Sequence, residues 1–215
     1  RRVPVKTHGF KEEGNLIEAW LKYECDSVLT EQRWKFHQVD EKEPLDAFYD
    51  CLITIENIDA AKRKDYLQFF ACYYMPGTSY YWSIDNEIVP CAPTNFTGVR
   101  DRGEEARLTE SPYVTHLKRH LPEGEFPRFG YWKHPLLMSL PEEGFGDGRR
   151  HVVVVDEDYA SAIHVWHSQA RDYMLKPKGK DLDPGERFTA HIRHYFVKVT
   201  SVQDLENLWN HFQIC

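Results

Sequence analysis

Eleven histidines lie along this chain of 215 residues, and six of them form close pairs: His116/His120, His164/His167 and His191/His194. Histidine exchanges protons near neutral pH and ligates transition metals, so paired histidines are where chemistry is sought first. What each pair can do depends on the element that carries it.

From about residue 157 to 174, Tyr159, Ala162, Ile163, Trp166, Ala170 and Tyr173 recur at helical spacing behind Asp156 as a cap, which predicts a helix. On it, His164 and His167 share the polar face with Arg171 and could reach one divalent metal ion or one anion. A metal would need a third ligand from elsewhere, and Arg171 opposes a cation. The competing reading is a solvated helix face.

His191 and His194 fall in a strand expected from Phe188 to Val199, where alternation sends residues three apart to opposite faces. The same alternation aligns His191, Arg193 and Tyr195 in one row, with Ala190, Ile192, His194 and Phe196 on the other face. Imidazole, guanidinium and phenol together suit a polar or anionic substrate: His191 as acid/base, Arg193 as anion clamp, Tyr195 as donor. Hydrolysis is one reaction class such a row serves. The alternative is an exposed sheet face with cross-strand pairs, and His194 reads as a hydrogen-bonded core histidine.

His116 and His120 have the spacing of helical zinc sites, but no glutamate follows His116 as in an HExxH hydrolase; Leu117, Lys118 and Arg119 intervene. With Arg128 and Lys133 this segment reads as basic, either a solvated charge run or a surface for an acidic partner.

Phe126-Pro-Arg-Phe-Gly-Tyr-Trp-Lys-His134 interleaves rings with cations. Arg128, Tyr131, Trp132, Lys133 and His134 are thus candidate ligand-binding residues, with Tyr131 and Trp132 as a lid over the His191 row. A non-catalytic interaction module, gripping a protein or nucleic-acid partner through Trp132 and Arg128, is the rival function. No GxxxxGK[ST], GxGxxG or GxSxG motif is present, so no cofactor is named by sequence; a divalent metal at His164 and His167 is the one ion suggested.

The elements that must position these groups are read as follows. Asn15 to Asp26 carries Leu16, Ala19, Trp20 and Tyr23 at helical spacing and predicts an opening helix. Arg33 to Val39 and Ala47 to Ile55 read as a strand hairpin, and Leu67 to Met75 with Ser79 to Ile84 as a second hairpin about Pro76-Gly77. A short helix is expected near 57–65 and another over 112–121, then a Pro/Gly-rich loop over 121–150. Val152 to Val155 reads as a strand, and Ser201 to Gln213 as a closing helix. The expectation is one α+β domain over 1–215 with a mainly antiparallel sheet.

At 41% hydrophobic and 28% charged residues the chain has the balance of a folded globular domain, not a disordered one. Its net charge of −7 argues against wholesale attraction to nucleic acid or anionic membrane. No apolar run nears a membrane span, and Arg1-Arg2-Val3-Pro4 lacks a signal-peptide core, so the chain reads as soluble and non-membrane. Five scattered cysteines without a CxxC pair suit the cytoplasm or another reducing compartment, while the Asn95-Phe96-Thr97 sequon is the one pointer to secretion.

Overall fold

Two tight turns decide the N-terminal third. In a computed structural model, which describes residues 4–37, 47–66, 71–74, 78–91, 96–110, 129–140, 148–165, 172–177 and 180–214, no opening helix forms. Instead β1 (Val5–Glu13), β2 (Leu16–Cys25), β3 (Val28–His37) and β4 (Ala47–Asn57) run as an antiparallel meander. Gly14, at φ 59°, and Asn15 join β1 to β2 with Glu13 opposite Leu16. Asp26 and Ser27, at φ 49° and 61°, join β2 to β3 with Cys25 opposite Val28. Positive φ at both Asp26 and Ser27, and at Gly14 as first central residue of the other turn, gives primed turns whose twist matches paired strands. Asn15 is therefore a hairpin residue, not a helix cap, and the Trp20 indole lies over Gly9 so closely that a side chain there would collide with it.

The remaining strands are β5 (Arg63–Tyr66), β6 (Ala71–Tyr74), β7 (Thr78–Ser83), β8 (Ile88–Pro90), β9 (Phe96–Val99), β10 (Phe129–Leu140), β11 (Arg150–Val155), β12 (Ala160–Val165), β13 (Asp172–Pro177), β14 (Lys180–Leu182) and β15 (Arg187–Val197). Two helices complete the described residues, α1 (Arg102–Glu110) and α2 (Val202–Ile214). A thirteen-stranded sheet runs β1-β2-β3-β4-β15-β11-β10-β9-β12-β13-β6, with β7 and β8 branching from β10, while β14 and β5 form a separate pair. Pairing is antiparallel except between β9 and β10. The α+β expectation is thus corrected to a sheet-dominated fold.

Four further corrections follow. The predicted helix over 157–174 is a turn leading into β12, which pairs with β13: Asp156 does cap, its Oδ1 accepting from Asp158 N at 2.8 Å, but the turn is not propagated. His164 is therefore a strand residue, and the shared helix face proposed for His164 and His167 lapses; His167 lies outside the described residues. The hairpin about Pro76-Gly77 does not form, since β6 pairs with β13 and β7 with β10 and β8. The long loop over 121–150 contains β10, whose register shifts between Trp132 and Leu137, so Pro135 sits where ladder bonding is already interrupted. Residues 57–65 bend around the buried Asn57 side chain, which donates to Ala61 O and Leu182 O, and then enter β5 without a helix. The helix expected over 112–121 falls outside the described residues.

Both faces of the central strands are buried, which is why Val152 to Val155 reads as an unbroken apolar run. On one face Ile53, Val153, Val155, Ile163 and Ile192 join one core; since β4 and β12 lie far apart in strand order, the sheet must curl to bring them together. On the other face α2 lays Leu205, Trp209 and Phe212 over Val152, Val154 and Tyr195. The start of α2 is fixed by reciprocal bonds: Asp204 Oδ2 accepts from Ser201 N at 2.9 Å, and Ser201 Oγ accepts from Asp204 N at 3.3 Å.

Candidate functional site

Beneath α2, the odd-numbered row of β15 meets β4 in direct register, Arg193 opposite Asp50. Asp50 faces α2 because β4 alternates, sending Tyr49, Cys51 and Ile53 to the opposite face. Arg193 is buried and grips the carboxylate as a fork, Nε to Oδ1 at 2.6 Å and Nη2 to Oδ2 at 3.1 Å. His191 Nε2 reaches the same Oδ1 at 2.6 Å, and His37 Nε2, from β3, reaches Oδ2 at 3.0 Å. Each carboxylate oxygen thus has two partners.

Burial alone would raise the Asp50 pKa, but hydrogen bonds from His191 and Arg193, with their charge, outweigh it and hold the carboxyl well below the ordinary range. An ionised carboxylate only accepts, so both imidazoles present Nε2–H to it. For His191 that leaves Nδ1 as the nitrogen that can take up or release a proton. His191 is partly exposed and lines an open cleft of about 360 Å³ with Asp156, Glu157, Asp158, Phe212 and Gln213. Its ring packs on Phe212 at 4.6 Å between centroids.

The rest of the row turns inward. Tyr195 is buried; its hydroxyl donates to Leu208 O at 3.3 Å and meets His211 Nδ1 at 2.9 Å. Burial and the Arg193 charge push His211 below the usual histidine range. The expected row is therefore present and split in function: Arg193 is engaged by Asp50 and Tyr195 by α2, while His191 alone faces a cleft.

The aromatic-basic segment is placed as follows. Tyr131 donates to Glu105 of α1. Trp132 is buried in the first core, against Gly98, so it is neither a lid nor a surface anchor. Lys133 is exposed, its ammonium 4.4 Å from the Trp82 ring centroid and 3.2 Å from Asn86 Oδ1. His134 stacks on Trp209 of α2 at 4.3 Å and bonds Glu157 Oε1 through Nδ1 at 2.9 Å. Lys133 also lines a second cleft, of about 190 Å³, with Arg100, Trp132, Pro135, Glu157 and Ala160. Glu157, in the turn after β11, lines both clefts.

Arg128, His116, His120 and His167 lie outside the described residues, and of His164 only the strand position is described. Among the described residues no group of three or more His, Cys, Asp or Glu is arranged to hold a metal ion, and no helix is long and apolar enough to cross a membrane. Sequence reasoning missed Asp50, His37, His211, Arg100 and Glu157. The available signal was Asp50 itself, a single carboxylate inside the otherwise apolar run Ala47 to Ile55.

No protein-family model matches the chain, and no curated protein matches it. Two solved structures are similar over most of its length. One is a candidate aldose 1-epimerase of Klebsiella pneumoniae, at 8% identity and TM-score 0.43, covering 92% of this chain and 56% of that one. The other is a candidate aldose 1-epimerase of Escherichia coli K12, at 11% identity and TM-score 0.39, covering 89% of this chain and 69% of that one. The chain spans just over half the length of the first.

Proposed function

We propose that this protein acts on a polar small molecule held in the cleft beside His191, with His191 as general acid/base. The observation that carries this reading is the Asp50–His191 contact at 2.6 Å opening onto a cleft lined by polar side chains. A buried carboxylate on one imidazole nitrogen fixes the tautomer and stabilises the imidazolium formed during proton transfer, leaving the other nitrogen to work. Arg193 keeps Asp50 ionised from within, and Tyr195 with His211 fixes α2 over the row; all three are positioning residues. Asp156, Glu157 and Asp158 supply acceptors for ligand hydroxyls. Phe212 gives the cleft one apolar wall.

The test is a panel of sugars, polyols and hydroxy acids screened by saturation-transfer NMR, then followed in deuterium oxide for turnover or solvent-deuterium incorporation. At least one ligand should bind and react, with the rate reduced 100-fold or more in His191→Gln and unchanged in Cys91→Ser. Ligands that bind and react equally well with His191→Gln would remove the proposal, as would a panel with no binder.

A further inference from the structure

The geometry points to a second, cationic subsite, the smaller cleft between Arg100 and Lys133, that receives a phosphate or carboxylate group of the ligand. This inference rests on the His191 reading for the rest of that ligand, and it names the substrate class: a polar small molecule carrying one anionic group.

Four observations converge. First, the chain is acidic overall, with 34 acidic against 27 basic residues, yet Arg100 and Lys133 line one cleft and neither has a carboxylate partner among the described residues. Arg100 makes one hydrogen bond there, Nη1 to Glu157 O at 3.3 Å, so most of its donors remain for a ligand. Second, Glu157 is the acidic residue lining the cleft, and its Oε1 bonds His134 Nδ1 at 2.9 Å. One oxygen of that carboxylate is thus engaged by His134, and among the described residues it forms no ion pair with Arg100 or Lys133.

Third, Lys133 is held in place. Its ammonium rests over the Trp82 face and against Asn86 Oδ1, contacts that orient it without cancelling its charge. The register of β10 shifts between Trp132 and Leu137, the stretch that carries this lysine. Trp132, Pro135 and Ala160 also line this cleft. Fourth, Glu157 lines both clefts, which places the Arg100 and Lys133 cleft next to the one that holds His191. The anion-clamp role that the sequence suggested for Arg193 passes to these two residues, because Asp50 occupies the Arg193 fork.

The experiment titrates the full chain with inorganic phosphate and, separately, with acetate, following backbone amides and arginine side chains by ¹H–¹⁵N NMR against sodium chloride at equal ionic strength. Saturable shifts of Ala160, Trp132 and Arg100 are expected. Phosphate affinity should fall tenfold or more in Arg100→Gln and in Lys133→Gln, and should be unchanged in His191→Gln. Stronger binding of phosphate than acetate assigns a phosphoryl group, and the reverse a carboxylate. Shifts no larger than those of chloride, or unchanged affinity in both variants, would overturn the subsite. Lys133 is exposed, so Lys133→Gln tests the idea even where Arg100→Gln disturbs the fold. Phosphate binding that survives while His191→Gln leaves ligand chemistry intact refutes the catalytic reading and spares the subsite; loss of phosphate binding with His191-dependent chemistry does the opposite.

Discussion

The two faces of β15 carry histidines in opposite electrostatic settings. On one face His191 shares Asp50 with Arg193 and His37, a network built around a charge. On the other, His194 Nδ1 and His151 Nε2 stand 2.9 Å apart with no carboxylate between them, inside a stack in which Tyr49 lies on His194 at 4.4 Å and Phe196 on His151 at 4.8 Å. Burial pushes His151 down to about 4 and His194 well below the usual range. Burial thus disfavours the charged form of both rings, and in the neutral pair one imidazole donates and the other accepts. Residue type therefore decides little here; the carboxylate next door decides whether a histidine can serve as a proton carrier or as a flat polar core group.

The sharpest way to break this contrast is to remove the carboxylate. Asp50→Ala leaves the buried Arg193 guanidinium without its partner, and truncating one member of a buried pair costs about 3–5 kcal/mol. A urea-unfolding midpoint should shift accordingly. The double variant Asp50→Leu/Arg193→Met should recover at least half of that loss, since apolar replacements of both partners remove the stranded charge. A double variant as unstable as the single one would show that the pair is needed for more than mutual neutralisation.

Acid should separate the two faces in pH. The unfolded chain protonates histidine near pH 6.5, whereas the folded His151 resists to about 4, so between those values the unfolded state binds more protons and stability falls as pH falls. This loss is on the order of 3 kcal/mol. Asp50 has the sign of a depressed acid: its contribution is complete above the ordinary carboxylate range near 4 and disappears as pH drops below it. Thermal unfolding across pH 3 to 8 should therefore decline in two separated stages. His151→Phe keeps a ring on Phe196, loses one neutral hydrogen bond worth about 1 kcal/mol, and should shrink the upper stage alone. Flattening of the lower stage instead would assign the two titrations the other way round.

Much of the His191 face was legible, and for a definite reason. Strict alternation from Ala190 to Val197 fixes which residues share a face whatever the partner strand, so the row His191, Arg193, Tyr195 follows from sequence. What faces that row does not: Arg193 and Asp50 are separated by 143 residues, and only the β4–β15 register joins them. The failures have local causes. Leu16 to Cys25 is an inner strand with partly covered residues on both faces, so its apolar positions imitate a helix, although Gly14-Asn15 is a hairpin signal. Asp156 starts a turn whether helix or strand follows. Pro135 hid β10 because proline ordinarily excludes strand interiors, except where a bulge has already broken the ladder.

The smallest effect tests whether the Asp50 network is graded. His37 is the most exposed of the three groups on Asp50, with 36% of its side chain accessible against 22% for His191 and 3% for Arg193. Its hydrogen bond is therefore screened by solvent, and its ring rests on Phe48 at 4.4 Å. His37→Ala removes one of two partners from Asp50 Oδ2 and leaves Arg193 Nη2 in place, so a loss of about 1 kcal/mol or less is expected. The urea midpoint should move by a small fraction of the Asp50→Ala shift, and the His191 tautomer, read from imidazole ¹⁵N shifts, should stay Nε2–H. A loss comparable to Asp50→Ala would mean that the partly exposed histidine, rather than buried Arg193, organises the carboxylate. The contrast between the two faces of β15 would then rest on solvent access and not on paired charge.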